Sequence, residues 1–112
     1  MSRSATPILT LTAIASGAVA ANRFVTHAGA QAGDGANALG GAVNAAASGE
    51  AFPVNALGTT TIEAGGAFSK GDAIQSNADG KAIVKAAGAT VARALEDSTG
   101  AGDFVEVLIV PN

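Results

Sequence analysis

The 112-residue sequence contains no cysteine, tryptophan or tyrosine and a single histidine. Without cysteine the chain cannot form disulfide bonds, use thiol chemistry or build cysteine-based zinc sites. The lone histidine, His27, cannot form a histidine-rich metal site. Only four phenylalanines supply large aromatic rings, so the chain has little surface on which nucleic-acid bases or sugars could stack.

Charged residues are also few, with six Lys and Arg against nine Asp and Glu and a net charge of −3. Nucleic-acid binding requires a basic surface, so this balance predicts no nucleic-acid partner. The apolar stretch at residues 8–21 is shorter than the roughly 20 residues that a membrane helix needs. Its end, Ala18-Val19-Ala20, resembles a signal-peptide cleavage site, but Pro7 and the internal Thr and Ser residues argue against one. We expect no membrane partner.

Small residues dominate what is present, because 28 Ala and 15 Gly make up 43 of the 112 residues. Leu, Ile, Val and Phe contribute 25, which is still enough for a folded chain of low net charge. The length fits one domain, and a domain of this size buries only about two thirds of its chain surface. We therefore expect a thin core and stability gained partly from copies of the same chain or a larger partner.

The residue pattern predicts a mostly β protein with short strands. Apolar and polar residues alternate at residues 8–12, as in a half-buried strand, and β-branched and aromatic residues favour strands at 23–26 and 58–62. Pro53 confines a further strand at 51–54 to a sheet edge or a strand end. The Gly-rich residues 27–41 are typical of a loop.

The C-terminal half contains the clearest strand signals. Residues 73–76 and 81–84 flank Asn77-Ala78-Asp79-Gly80, whose residue types favour a turn and therefore a hairpin. Residues 104–110 form the strongest strand, with Val105, Val107 and Ile109 on one face and Leu108 and Val110 on an opposite face that we also expect to be covered. Ala-rich segments compete as helices, so we allow one or two short helices at most, one of them at residues 91–97.

Two segments of the chain, residues 15–54 and 64–107, resemble each other. Residues 15–25 align with 64–74, which places Asn22 opposite Gly71, and these residue types best tolerate a left-handed backbone. Residues 42–54 then align with 94–107 with one residue of slack. Chance alignments are common in a chain rich in Ala and Gly, so the repeat is a hypothesis.

Motifs for catalysis or cofactor binding are missing. Gly33-Asp34-Gly35-Ala36-Asn37-Ala38 matches G-x-G-x-x-A, but the strand, helix and acidic residue that a dinucleotide site requires around it are not evident. His27 has no nucleophile to activate, and the carboxylates are scattered at turns rather than spaced as a calcium loop or a glycosidase pair. We predict no catalytic, cofactor-binding or metal-binding residues and therefore no enzyme.

From residue 39 to its end, the chain resembles the small capsid cement, or head-decoration, proteins of tailed bacteriophages. The resemblance lies in Gly-acid turns followed by strands, in an Asp-Gly-Lys-Ala hairpin and in a closing β segment. These features are Gly41-Ala42-Val43 with Gly49-Glu50, residues 63–74, Asp79-Gly80-Lys81-Ala82, Ala92-Arg93-Ala94-Leu95-Glu96-Asp97 and residues 100–109.

The resemblance implies a small β-barrel or sandwich-like decoration fold with an extended N-terminal arm. It also implies a non-enzymatic protein on the outer surface of an assembled, expanded phage head, at threefold and quasi-threefold positions. There it would form a homotrimer, bridge copies of the major capsid protein and stabilise the shell. The alternative is a secreted or surface β-domain that binds a ligand or polymer.

We expect an N-terminal arm at residues 1–12, with the first strand beginning about residue 8, and a single β-rich domain at 13–112. An arm that ends in apolar strand residues suits addition to a neighbouring sheet, where backbone hydrogen bonds supply affinity. The trimer interface and any role of the Gly-rich loop 29–41 stay unassigned. The predicted capsid contacts are Ser2, Arg3, Ser4, Ala5, Thr6, Pro7, Ile8, Leu9, Thr10 and Leu11.

Overall fold

The computed structural model describes residues 5–112, which form eight β-strands and no helix. One sheet contains all of them, in the order β2-β3-β4-β8-β7-β5-β6, with β1 paired to β4. A parallel bridge between Ala64 and Ala82 brings β6 back to the end of β4, so the sheet is a nearly closed barrel. The mostly β prediction is confirmed. The strands are β1 Pro7–Ile14, β2 Phe24–Val25, β3 Gly40–Ala42, β4 Ala51–Glu63, β5 Ala73–Ser76, β6 Ala82–Val84, β7 Ala92–Ala94 and β8 Phe104–Ile109.

Local strand and turn signals were reliable where they were strong. The predicted hairpin is confirmed, with β5 and β6 antiparallel and Ser76 opposite Ala82. Gly80 in its turn has φ +76°, a conformation that glycine adopts without the steric penalty of a Cβ. In β8 the inner face is buried as predicted. The prediction that its other face is also covered is wrong for Leu108, which is 41% exposed.

β4 is one strand of 13 residues where the sequence predicted two. The joint contains Gly58 with φ +89°, and the register with β1 shifts near it. Pro53 does not lie on an edge, because it pairs with Thr12 of β1 while its carbonyl accepts the N–H of Val43 at 3.1 Å. Proline fits there because β3 ends at Ala42, so little of the ladder is lost on that side.

Two further predictions are wrong. The candidate helix at residues 91–97 contains β7, because pairing with β5 on one side and β8 on the other outweighs the helix propensity of alanine. The predicted loop 27–41 was given too late an end, because strand β3 already begins at Gly40. There β3 pairs with β2 on one side, Gly40 lying opposite Val25, and with β4 on the other. No helix that could span a membrane occurs among residues 5–112.

The pairing pattern occurs twice along the chain. The first unit consists of β1, β2, β3 and residues 51–57 of β4, and the second unit consists of residues 59–63 of β4 with β5 to β8. Phe24 opposite Gly41 in the first unit corresponds to Ala73 opposite Arg93 in the second. The isolated bridge between Val19 and Ala46 corresponds to that between Phe68 and Ser98. Asn22 and Gly71, which the sequence alignment places opposite each other, have φ 61° and 92°.

The buried residues form two clusters that follow the same correspondence. The smaller cluster fills the first unit, and the larger fills the second and also includes Phe24, Ala32 and Ala38 of the first. These equivalences support the proposal that residues 15–54 and 64–107 are two copies of one unit. Corresponding core residues are Ala15 and Ala64, Val19 and Phe68, Val25 and Ile74, Ala42 and Ala94, Phe52 and Val105, and Val54 and Val107.

Candidate binding surface

The first strand, β1, is the most exposed strand of the sheet. It pairs only with β4, so its other edge has no strand partner within residues 5–112. Ile8 is 81% exposed and Ile14 is 59% exposed. An uncovered strand edge with aliphatic side chains is a template for pairing with another chain.

The structure places most of the predicted capsid contacts on this strand or directly before it. Every residue from Ala5 to Leu11 is exposed. Ser2, Arg3 and Ser4, the remaining predicted contacts, lie outside the described residues. β1 continues to Ile14, across the expected boundary between arm and domain at residue 12.

Hydrogen bonds fix the beginning of β1 to the barrel. The backbone N–H of Thr6 donates to the Thr59 hydroxyl at 2.7 Å, and the N–H of Thr59 donates to the carbonyl of Thr6 at 3.2 Å. The Thr59 hydroxyl in turn donates to a carboxylate oxygen of Glu106 in β8 at 2.7 Å. Residues from Thr6 onward are therefore held in the sheet rather than extending from it as a free arm.

A second set of polar contacts holds the middle of β1. The hydroxyl of Thr10 donates to the side-chain carbonyl of Asn55 at 2.9 Å. The amide nitrogen of Asn55 donates to the Thr60 hydroxyl at 3.1 Å. Asn55 and Thr60 are buried, so these bonds satisfy polar groups that would otherwise be costly to bury. These bonds also tie the middle of β1 to β4.

An open groove lies beside β1 on the first unit. Four leucines from three segments of the chain line it, namely Leu9 and Leu11 of β1, Leu39, and Leu57 of β4. The sequence did not reveal this groove, because no local pattern brings those segments together. The other residues that line it are His27, Ala38, Ala56, Pro111 and Asn112.

An ion-pair cluster lies where the two units meet. Glu63 at the end of β4 is 3.1 Å from the guanidinium of Arg23 and 3.2 Å from the amine of Lys81. Partial burial would raise the pKa of Glu63, but the hydrogen bonds and positive charges of Lys81 and Arg23 outweigh that effect and lower its pKa. Arg23 also donates to the carbonyl of Asp79 at 3.0 Å. The cluster therefore joins the segment before β2 to the β5–β6 hairpin.

The carboxylates of the Gly-acid turns bond the backbone of their own turns. Glu50 accepts the N–H of Ala47 at 2.7 Å, and Asp72 accepts the N–H of Ser69 at 2.9 Å. Asp103 accepts the N–H of Thr99 at 2.9 Å. No group of His, Asp and Glu side chains that could hold a metal ion occurs within the described part of the chain. These carboxylates cap turns.

The sheet is thus a small barrel in which β1 is an exposed edge strand bonded to its neighbours. Residues 3–109 match the family model of the phage cement protein. The chain belongs to this family, which confirms the resemblance seen in the sequence. Membership gives the protein a structural, capsid-associated role in the virion.

The fold occurs in a solved phage structure. The chain resembles the N base of the head fiber gp8.5 of bacteriophage phi29, with a TM-score of 0.75 and 22% sequence identity. The similarity covers 91% of this chain and 93% of that one. At this level of identity the similarity establishes a shared fold. No curated protein sequence matches the chain.

Proposed function

We propose that the protein binds the outer surface of the assembled, expanded phage head at threefold and quasi-threefold positions. It acts there as a homotrimer and stabilises the shell by bridging copies of the major capsid protein. Its contacts with the capsid are made by residues 2–11. The observation that carries this proposal is the free, exposed edge of β1 at the N-terminal end of the chain.

Strand addition supplies the attachment. The outer edge of β1 offers backbone N–H and C=O groups to a strand or loop of the capsid protein, and backbone pairing of this kind supplies affinity while side-chain pockets supply specificity. Ile8, which is 81% exposed and lies outside the groove, is the apolar side chain available for such a pocket. Its burial against the capsid removes apolar surface from water, which is favourable.

The anchoring of β1 lowers the entropic cost of binding. Bonds from Thr6 to Thr59 and from Thr10 to Asn55 hold the strand in place before any partner arrives. A surface that is already in its bound conformation loses less freedom on association. Many such contacts around one shell then add up through multivalency, so a modest affinity at each site suffices to stabilise the head.

A matched pair of variants tests the role of β1. Ile8→Asp and Val84→Asp each place a carboxylate at an exposed strand position, but only the first lies on β1. In co-sedimentation with undecorated expanded heads, we expect Ile8→Asp to bind about tenfold more weakly or worse and Val84→Asp to bind like the unmodified protein. Equal binding by both variants would show that β1 is not the attachment strand.

A further inference from the structure

The first unit covers one surface of the second unit within the same chain. The N–H of Glu63 donates to the carbonyl of Asn22 at 2.9 Å, and Arg23 bonds the Glu63 carboxylate at 3.1 Å. Gly41 packs so tightly here that an added Cβ would lie 2.8 Å from Ile62 Cδ1. The covered surface belongs to residues 59–63 of β4 and to its neighbours in the larger core.

The equivalent surface of the first unit is only partly covered. Continued upstream of Ala15 and Ala64 with the same spacing, the repeat relates Thr60, Ile62 and Glu63 to Leu11, Ala13 and Ile14. Ile62 is fully buried and Thr60 is 2% exposed, whereas Leu11 is 38% exposed. The same relation connects buried Val91 to half-buried Leu39 and connects Ile109 to Ala56, which is also buried. Leu11, Leu39 and Ala56 all line the open groove. The groove is therefore the position that, in the second unit, the first unit fills.

The covering elements also have counterparts that face solvent. The repeat relates Asn22, Arg23 and Gly41 to Gly71, Asp72 and Arg93. Gly71 and Arg93 are exposed. The carbonyl of Gly71 accepts an N–H of the Arg93 guanidinium at 3.2 Å. The corresponding carbonyl of Asn22 instead accepts the backbone N–H of Glu63 in β4. The surface around Gly71 in the second unit therefore has no contact like the one that Asn22 in the first unit makes with β4.

We propose that the second unit of one copy docks into the groove of the first unit of another copy, repeating the contact that joins the two units within a chain. The N–H of Ala15 donates to the backbone carbonyl of Glu50 in the first unit at 2.9 Å. Successive backbone groups alternate sides along a strand, so the N–H of Ile14 points away from β4. In the docked pair it donates to the carbonyl of Gly71 of the other copy.

Side-chain sizes at the two contacts compensate each other. Within the chain, Gly41 meets the large side chain of Ile62. Between copies, Arg93 takes the place of Gly41 and Ala13 takes the place of Ile62, so a larger residue meets a smaller one. The interface joins different surfaces of the two copies, and such a contact closes into a ring when the rotation between copies allows it. This contact between copies does not depend on capsid binding.

Cysteine cross-linking tests this arrangement directly, since the chain has no cysteine of its own. Separate Ile14→Cys and Asp72→Cys proteins are mixed and mildly oxidised, and disulfide-linked dimers are measured on a non-reducing gel. We expect the mixed dimer to exceed either homodimer by about tenfold or more, as for sites brought within disulfide reach. Replacing Asp72→Cys with Lys70→Cys, at a nearby exposed position, should remove most of the mixed dimer.

A gain-of-function pair supplies an independent readout. Ile14→Glu together with Asp72→Arg recreates the Arg23–Glu63 ion pair across the proposed interface. Sedimentation velocity should show tighter self-association for this double variant than for either single variant. Homodimers linked through residue 14 alone, or a protein that remains monomeric at every concentration, would overturn the proposal. Co-sedimentation of the same proteins with phage heads tests the proposed capsid role separately. Head binding without self-association would overturn only the contact between copies.

Discussion

Thr59 and Glu106 are joined by a 2.7 Å hydrogen bond in which the threonine hydroxyl donates to the carboxylate. The same hydroxyl accepts the backbone N–H of Thr6 at 2.7 Å. One side chain in the middle of β4 therefore links the beginning of β1 to β8. The exposed strand that we assign to capsid binding is therefore tied to the paired strands β4 and β8 of the barrel.

Thr59→Val tests this link. Valine keeps the shape of threonine but removes the hydroxyl, which leaves Glu106, only 8% exposed, without this donor. We expect a loss of about 1–3 kcal/mol in the free energy of unfolding, together with faster amide hydrogen exchange at Thr6.

A second threonine provides the control for that change. Thr99 donates its hydroxyl to Asp103 at 3.0 Å, but this pair is exposed. Thr99→Val should cost no more than about 0.5 kcal/mol, as is usual for surface substitutions. Equal losses in the two variants, measured by urea unfolding, would contradict a special role for Thr59.

The ion-pair cluster predicts a pH dependence of stability. The pKa of Glu63 in the folded protein is lowered from an ordinary value of 4.5, so this carboxylate contributes stability above that value. The contribution is lost as the pH falls through the lowered pKa. The difference in unfolding free energy between the unmodified protein and Glu63→Gln should be largest near neutral pH and should shrink below about 4.5. A difference that stays constant from neutral to acid pH would contradict this role of the pair.

Gly41→Ala tests the contact between the two units. The added methyl group would lie 2.8 Å from Ile62 Cδ1 and 2.9 Å from Thr60 Cγ2, and overpacking of this kind typically costs about 1–3 kcal/mol. Gly100→Ala is the matched control, because nothing lies within 4 Å of its added Cβ. Thermal unfolding should show a clearly lower Tm for Gly41→Ala alone. Equal Tm values would mean that the units do not pack as tightly as the structure indicates.

Strands with strong local signals could be predicted from the sequence, and so could the left-handed backbone at Asn22 and Gly71. The full length of β4 could not, because Pro53 and Gly58 are local signals for a break. Pairing with β1 and β3 on the two sides of its first half outweighs them. For the same reason β7 is a strand although its alanines favour a helix.

The candidate site was predictable in part. The strand itself followed from alternation at residues 8–12, and it lies within β1 as expected. The half-buried face that alternation predicted is wrong, because Ile8, Leu9 and Leu11 are all exposed. The groove beside β1 could not be predicted, because Leu11, Leu39 and Leu57 meet only after β3 and β4 have paired. That another surface could fill the groove becomes evident only from the second unit, where the first unit covers the corresponding surface.

Co-sedimentation of the purified protein with undecorated heads of its phage, in compact and expanded forms, tests the central claim most directly. We predict saturable binding to expanded heads alone, in multiples of three copies per threefold and quasi-threefold position. A protein lacking residues 1–7 should keep its β-sheet circular dichroism spectrum and lose this binding. Absence of binding to either form of the head, or saturation by the truncated protein, would contradict the account.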